Sequence, residues 1–243
     1  MDGPQAWSPL PKSEIDGLIA ETLSASEPDD ARSVAGLNRN VILALAAAAR
    51  CRRLMMGLVA LADADLPDVF GVVMRTMYET WAVGTYALHG GDSALVDLLA
   101  HQEWQDKQIA KGFGEAVDDL GDGKRLPVAD VAKSLTNRLE ALNHPDAAFA
   151  HRAYETFYRV ESSRVVHGGI GSVEGHVAVD DRSIRIVSNP GGEDEQTRRD
   201  LMFALALMVS AAQLPARAAG LPTARLDAIA QCLRDSGPSN YRP

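Results

Sequence analysis

The stretch VILALAAAARCRRLMMGLVALA, residues 41–62, decides the fold class. Alanine and leucine, which have high helix propensities, fill most of it. Its apolar residues lie on most sides of a helix, a pattern typical of a central helix in a bundle. Arg50, Arg52 and Arg53 interrupt the stretch before it reaches the roughly 20 uninterrupted apolar residues that a membrane span needs. We therefore predict a buried helix over about 33–62 and no membrane span.

Further helical patterns flank this stretch on both sides. The predicted helices cover about 13–24, 67–88, 93–112, 127–142, 145–167, 189–219 and 222–234. Between them, residues 173–187 alternate apolar and polar residues around Asp180-Asp181-Arg182, which predicts a short β-hairpin. No repeat and no long polar linker divides the chain. The sequence therefore predicts one all-α domain over residues 1–243, a multi-helix bundle of about eight helices with a small β-hairpin insert and a short frayed C-terminal tail.

The composition excludes some classes of protein. Hydrophobic residues make up 46% and charged residues 23%, which is typical of a globular chain and not of a disordered one. The net charge of −9 argues against a surface for nucleic acid. Cys51 and Cys232 stand far apart in helical apolar stretches, so both are predicted to be buried and reduced. The N-terminus has neither a basic start nor an apolar run, so we expect no secretory signal and a cytoplasmic location.

Two residues of opposite charge, Arg75 and Glu79, share one face of the helix predicted for 67–88 with Tyr78, Ala82 and Tyr86. The main apolar stripe of that helix lies opposite and comprises Phe70, Met77, Trp81 and Leu88. Taken alone, this spacing indicates a solvated ion pair. The alternative is a half-buried pair that lines a cavity between small side chains and tyrosines. Because a buried ion pair without partners is costly, the alternative implies a ligand or a second polar helix.

Ser163 and His167 stand four residues apart at the end of the helix predicted for 145–167. They continue a stripe that is otherwise mostly apolar and comprises Phe149, Ala153, Thr156 and Val160. Polar groups aimed at a core need hydrogen-bond partners. One interpretation is a serine bonded back to a helix carbonyl, with a histidine at the helix end. The other is a functional pair, with His167 as general base or metal ligand and Ser163 orienting it.

Other candidate residues are favoured as structural. The standard motifs for zinc, nucleotide and nucleophile sites are absent from the sequence. His101, Glu103 and Asp106 lie on one predicted helix but lack the Glu-x-x-His pairs of carboxylate-bridged metal sites, so a solvated face is favoured. The sequence therefore indicates no metal site and identifies no cofactor.

Arg75-x-x-x-Glu79 on an early helix and Tyr158 followed by Ser163-x-x-x-His167 on a later helix form a combined pattern. It resembles a bacterial all-helical family known only as a domain of unknown function and, more distantly, the HEPN class of helical nucleases and defence proteins. The resemblance covers about residues 41–171. It implies Arg75, Glu79, Ser163 and His167 as signature positions and supplies no established reaction.

The resemblance to HEPN ribonucleases is incomplete in its motif. Arg164 and Arg159 precede His167 by three and eight positions, and neither spacing matches the arginine–histidine motif of those enzymes.

Three hypotheses follow for the function. In the first, the Arg75/Glu79 and Ser163/His167 pairs face each other between helices and bind a small polar ligand or a partner protein. In the second, the chain is a hydrolase or HEPN-like ribonuclease with His167 as base and Arg75 as anion stabiliser. In the third, the pairs only lock the helix packing, and the apolar stretch 201–214 forms the interface of a homo-oligomer. Three tyrosines complete the predicted ligand-binding set: Tyr78, Tyr86 and Tyr158.

Overall fold

The computed structural model describes residues 9–27, 36–66, 69–114, 121, 123–144, 146–158, 177–180, 183–186 and 194–236. Its α-helices are α1 (Lys12–Ala25), α2 (Arg39–Asp63), α3 (Phe70–Gly112), α4 (Val128–Ala141), α5 (Ala147–Arg152), α6 (Asp194–Ala218) and α7 (Ala224–Ser236). A π-helical segment, Ala153–Tyr158, continues directly from α5. The predicted class, an all-α helical bundle, is confirmed.

Two short strands lie within the range that was predicted as a hairpin. Strands β1 (Val177–Asp180) and β2 (Ser183–Ile186) pair in antiparallel register, with Val177 opposite Ile186. The two residues between the strands lie outside the described residues, and so do Ser163, His167 and the predicted frayed tail. The hairpin as an insert, and its position relative to the helices, therefore stay predictions.

The long helix α3 has an internal break. The sequence predicted a break at residues 89–92, and within this range Gly91 has the non-helical values φ 65° and ψ −152°, so that α3 consists of two helical halves joined at a kink. Glycine adopts such a conformation without the steric cost that a β-carbon imposes. The Ser93 hydroxyl donates to the Gly90 carbonyl at 2.9 Å and supports the restart of the helix. In the described residues the predicted count of about eight helices becomes seven α-helices and the π-helical segment.

The core is centred on α6, which packs against α1, α2, α3 and α7. The largest fully buried side chains include Leu201 and Leu205 of α6, Met55 of α2 and Trp81 of α3. Helices α2 and α3 approach closely at Gly84, where an added β-carbon would lie 2.5 Å from the Ala47 β-carbon. This close contact fixes the side of α3 that faces the core and leaves its other side for the polar residues.

The apolar face of α6 is used within the monomer. Among the described helices, Glu195–Ala218 is long and apolar enough to cross a membrane. However, 78% of its most apolar window is buried inside the protein, and the core helix of a folded domain can have the same length and composition. The stretch 201–214, which was predicted to form an oligomer interface, is therefore already covered by the other helices. The homo-oligomer itself stays a prediction.

The two cysteines have different environments. Cys51 is buried in α2, as predicted, and burial raises the pKa of its thiol to about 12. Cys232 is exposed on α7, so the prediction that it is buried is wrong. Its position on the apolar stretch did not place it on the buried face, which carries Leu226, Ile229 and Ala230 instead.

Candidate functional site

Helix α3 brings Arg75 and Glu79 together because they lie one turn apart on the same face. The Arg75 Nε donates to Glu79 Oε1 at 3.1 Å. The side chains are 24% and 35% exposed, respectively, so the pair is half buried rather than fully solvated. The pair is therefore half buried, as one of the two interpretations held, and the cavity that this interpretation included stays a prediction.

Tyr158, the last residue of the π-helical segment, closes the pair into a triad. Its hydroxyl donates to Glu79 Oε1 at 3.0 Å and accepts a hydrogen bond from an Arg75 Nη at 3.2 Å. The guanidinium carbon of Arg75 also lies 5.2 Å from the centroid of the Tyr158 ring, within range of a cation–π contact. These contacts join two helical elements that are about 80 residues apart in sequence. We call Arg75, Glu79 and Tyr158 the polar triad.

Two more tyrosines lie beside the triad. The ring of Tyr78 is 5.3 Å from that of Tyr158 and 6.4 Å from that of Tyr154, measured between centroids. Tyr154 and Tyr158 stack at 5.6 Å. Tyr78 is fully buried, and its hydroxyl has no hydrogen-bond partner among the described residues. A buried hydroxyl without a partner is uncommon because it has lost its hydrogen bonds to water.

The protonation states of the triad follow from its contacts. Burial raises the pKa of the Tyr158 hydroxyl, and the Glu79 carboxylate raises it further, while Arg75 opposes the shift. Burial lowers the pKa of the Arg75 guanidinium, but Glu79 and Tyr158 outweigh this effect and the net shift is upward. Burial, with smaller effects of Tyr154 and Tyr158, raises the pKa of Tyr78. At neutral pH the arginine is therefore a cation and these two tyrosines are neutral.

The triad leaves hydrogen-bonding groups available on its surface. Within the described residues, neither Arg75 Nη1 nor Glu79 Oε2 takes part in a hydrogen bond, since the internal bonds use Arg75 Nε and Nη2 and Glu79 Oε1. A guanidinium nitrogen can only donate, and a carboxylate oxygen can only accept. The triad thus keeps one donor and one acceptor that are not used internally, and the Tyr78 ring, whose hydroxyl can do either, lies 5.3 Å from the ring of Tyr158.

The predicted site residues fall into three groups. Arg75, Glu79, Tyr78 and Tyr158 lie together. Ser163 and His167 lie outside the described residues. Tyr86 lies apart, because seven residues place it about 10 Å further along the helix than Glu79. Its hydroxyl donates to Asp97 at 2.9 Å, across the kink in α3.

The acidic and imidazole groups of the second half of α3 are held by local contacts. His101 Nδ1 accepts the backbone N–H of Leu126 at 3.1 Å, and its ring stacks on Trp104 at 5.7 Å. Asp106 accepts a hydrogen bond from Gln102 at 2.8 Å. Across the described parts of the chain, no group of three or more His, Cys, Asp or Glu side chains is arranged to hold a metal ion.

The position of Tyr158 depends on the π-helical winding, which the sequence did not predict. In a regular α-helix, nine steps of about 100° would place Tyr158 on the opposite side from Phe149. Phe149 packs against Trp81 in the core, with centroids 5.5 Å apart. The wider i→i+5 winding of Ala153–Tyr158 changes the register after Phe149. Tyr154, interpreted from the sequence as a packing residue, is part of the same aromatic group.

Comparison with known proteins adds no relative. No family model matches the chain, and neither curated proteins nor solved structures include a significant match.

Proposed function

We propose that this chain is a binding module for a small polar ligand, which docks at the polar triad against Tyr78. The single observation that supports the proposal most is the Tyr78 hydroxyl, which is fully buried and has no partner among the described residues. Folded proteins tolerate few such groups, and a ligand atom would supply the missing hydrogen bond. The half-buried donor and acceptor of the neighbouring Arg75–Glu79 pair support the same conclusion.

The charges of the triad favour an uncharged or zwitterionic ligand. Arg75 and Glu79 cancel each other, and Tyr78 and Tyr158 are neutral at pH 7. Glu79 would repel an anion and Arg75 would repel a cation, whereas a group with a donor next to an acceptor matches both. Carboxamides and amino acids carry such groups. The aromatic rings of Tyr154 and Tyr158 give the remainder of the ligand an apolar surface.

We include Ser163 and His167 in the proposed site because they are close to Tyr158 in the sequence. They follow Tyr158 by five and nine residues. Tyr158 itself contacts Glu79 directly. We propose that Ser163 and His167 face the triad and complete the ligand site. The hydrolase hypothesis, with His167 as general base, stays a prediction that His167→Ala would test in an activity assay.

The proposal is tested by a thermal-shift screen of amino acids, primary carboxamides and nucleosides on the full chain. We expect at least one of these classes to raise the melting temperature, as a ligand that binds only the folded state must do. Arg75→Met should remove the shift because it removes the free donor. If no compound of these three classes shifts the wild-type protein, the proposed ligand chemistry is wrong.

Tyr78→Phe and Tyr86→Phe form a matched pair for the same screen. Each removes one tyrosine hydroxyl from α3, but only Tyr78 adjoins the triad, while Tyr86 is bonded to Asp97. Tyr78→Phe should weaken binding about tenfold, the equivalent of one good hydrogen bond. Tyr86→Phe should bind like the wild type. Equal binding by all three proteins would exclude the Tyr78 hydroxyl from the site.

A second candidate function is a structural lock, which one observation favours. All three hydrogen bonds of the triad are internal, and two of them connect α3 to the π-helical segment. In this case the triad would fix the helix packing and bind nothing. Triad variants would then lose stability without any ligand effect, which is the opposite of the result expected for a binding site.

A further inference from the structure

A second polar cluster joins the middle of α3 to the start of α5. His89 of α3 and His144, in the turn after α4, lie with ring centroids 5.4 Å apart. Two residues further on, the Asp146 carboxylate accepts a hydrogen bond from the Ser210 hydroxyl of α6 at 2.8 Å. Ser210 in turn accepts the indole N–H of Trp81 at 3.0 Å. The cluster therefore ties the point where α5 begins to both α3 and α6.

The geometry of the cluster requires neutral histidines. His144 Nδ1 accepts the backbone N–H of Asp146 at 3.2 Å, which a protonated Nδ1 cannot do because it has become a donor. His89 Nε2 is buried and has no partner among the described residues. Burial and then the His144 ring lower the pKa of His89, Asp146 opposes the shift, and Arg138 adds to it. Protonation of the His89 ring therefore conflicts with the folded arrangement.

The surrounding charges do not compensate for a proton on His89. Among the described residues, the charged groups that act on His89 are Arg138 of α4 and Asp146. Arg138 donates from its Nε to the His89 carbonyl at 3.1 Å and brings a fixed positive charge. Asp146 already accepts a hydrogen bond from Ser210, the polar group that α6 contributes. A protonated His89 would therefore add a second positive charge near a guanidinium.

The cluster is connected to the polar triad by a short continuous helix. Helix α5 runs from Ala147 to Arg152, and the π-helical segment follows without a break and ends at Tyr158. We propose that His89 and His144 form a pH-sensitive latch, which holds the start of α5 while the His89 ring is neutral and, when His89 is protonated, releases it and withdraws Tyr158 from Arg75 and Glu79. The argument for the latch uses only the contacts of the cluster, whereas its effect on ligand binding rests on the proposed function.

The direction of the pH effect follows from the lowered pKa of His89. A histidine that resists protonation when folded binds more protons once the local structure opens. The latch is therefore fully stable above the ordinary histidine pKa of about 6.5, and its stability falls as the pH drops below that value. Mildly acidic conditions should open it.

Amide hydrogen exchange on the full chain tests the latch. Protection of the α5 amides, corrected for intrinsic exchange, should fall about tenfold between about pH 7.5 and about pH 5, while α7 changes little. In His144→Asn the fall should be smaller, because the ring that helps to lower the pKa of His89 is gone. An asparagine can still accept the N–H two residues on, as Asn38 does for Asn40 at 2.9 Å. His89→Gln is the second variant; it removes the titrating ring, and the fall should be absent.

The outcomes separate the latch from the binding site. Equal α5 protection of the wild type at both pH values would overturn the latch, as would the same loss in a folded His144→Asn or His89→Gln. Loss of protection with unchanged binding of a screened compound would overturn only the coupling to Tyr158. If no compound binds at either pH, the proposed function fails, and the exchange data still decide whether the latch exists.

Discussion

Two adjacent buried aromatic side chains of α3, Trp81 and Tyr78, have ring centroids 5.7 Å apart but differ in how their polar atoms are satisfied. On the side that faces α6, Trp81 is 1% exposed and its indole N–H donates to Ser210. On the side that faces the π-helical segment, Tyr78 is 0% exposed, and its hydroxyl has no partner in the described residues. Natural sequences break local rules mainly where function requires it. We therefore call the side that faces α6 the fold-maintaining side and the side that faces the π-helical segment, where the ligand site is proposed, the binding side.

The largest expected effect is on the fold-maintaining side. Leu205→Ala removes a fully buried side chain at the centre of α6. We expect the free energy of unfolding to fall by about 3 kcal/mol, since the lost burial and the remaining cavity both act against folding. Urea unfolding would measure it. The matched control is Leu99→Ala on α3, a leucine that is 64% exposed, which should change the free energy by no more than about 0.5 kcal/mol.

Ser210→Ala tests whether the hydrogen bonds of the buried polar atoms on this side contribute to the stability of the fold. It leaves the Trp81 indole N–H buried without an acceptor, and it removes the hydrogen bond to Asp146. A loss of about 2 kcal/mol in unfolding free energy is expected, because an orphaned buried donor loses its hydration without compensation. Thr136→Val is the control. It also removes a buried hydroxyl, but one that bonds only to the Ala132 carbonyl of its own helix at 2.9 Å. Equal losses in both variants would contradict the role given to Ser210.

Tyr78→Phe should raise the free energy of unfolding, whereas Leu205→Ala and Ser210→Ala lower it. If the hydroxyl has no partner in the free protein, its removal raises the free energy of unfolding by about 1 kcal/mol, since a buried polar group no longer has to be desolvated. The same change should weaken ligand binding. Higher stability combined with weaker binding is the known trade-off at functional sites. A destabilised Tyr78→Phe protein would instead mean that the hydroxyl already has a protein partner.

The sequence predicted one side of α3 better than the other. Its apolar stripe identified the core residues Phe70, Met77 and Trp81, because hydrophobic periodicity reports directly on burial. The burial of Tyr78 next to Arg75 was only one of two interpretations, since the neighbouring element decides whether a mixed face is covered.

The π-helical winding before Tyr158 is the part of the site geometry that the sequence did not predict. It re-aims Tyr158, whereas the kink at Gly91 lies within the break predicted at residues 89–92. A pattern with a fixed period of 3.6 residues does not detect such a change of register. Composition predicted the helical class, while tertiary contacts determined the geometry of the site.

Glu79→Gln gives the smallest expected change in stability and the sharpest test of the binding side. The glutamine oxygen can still accept from Tyr158 and Arg75, and the original side chain is 35% exposed, so solvent already screens its charge. The free energy of unfolding should fall by less than about 1 kcal/mol in urea unfolding. Binding of a compound from the screen should weaken at least about tenfold, because an amide NH₂ replaces the free acceptor at Oε2. If the triad is a binding site, Glu79→Gln therefore loses binding but keeps its stability. If Glu79→Gln loses more than about 2 kcal/mol and binds normally, the triad acts as a lock, because only a bond needed for packing has such an effect.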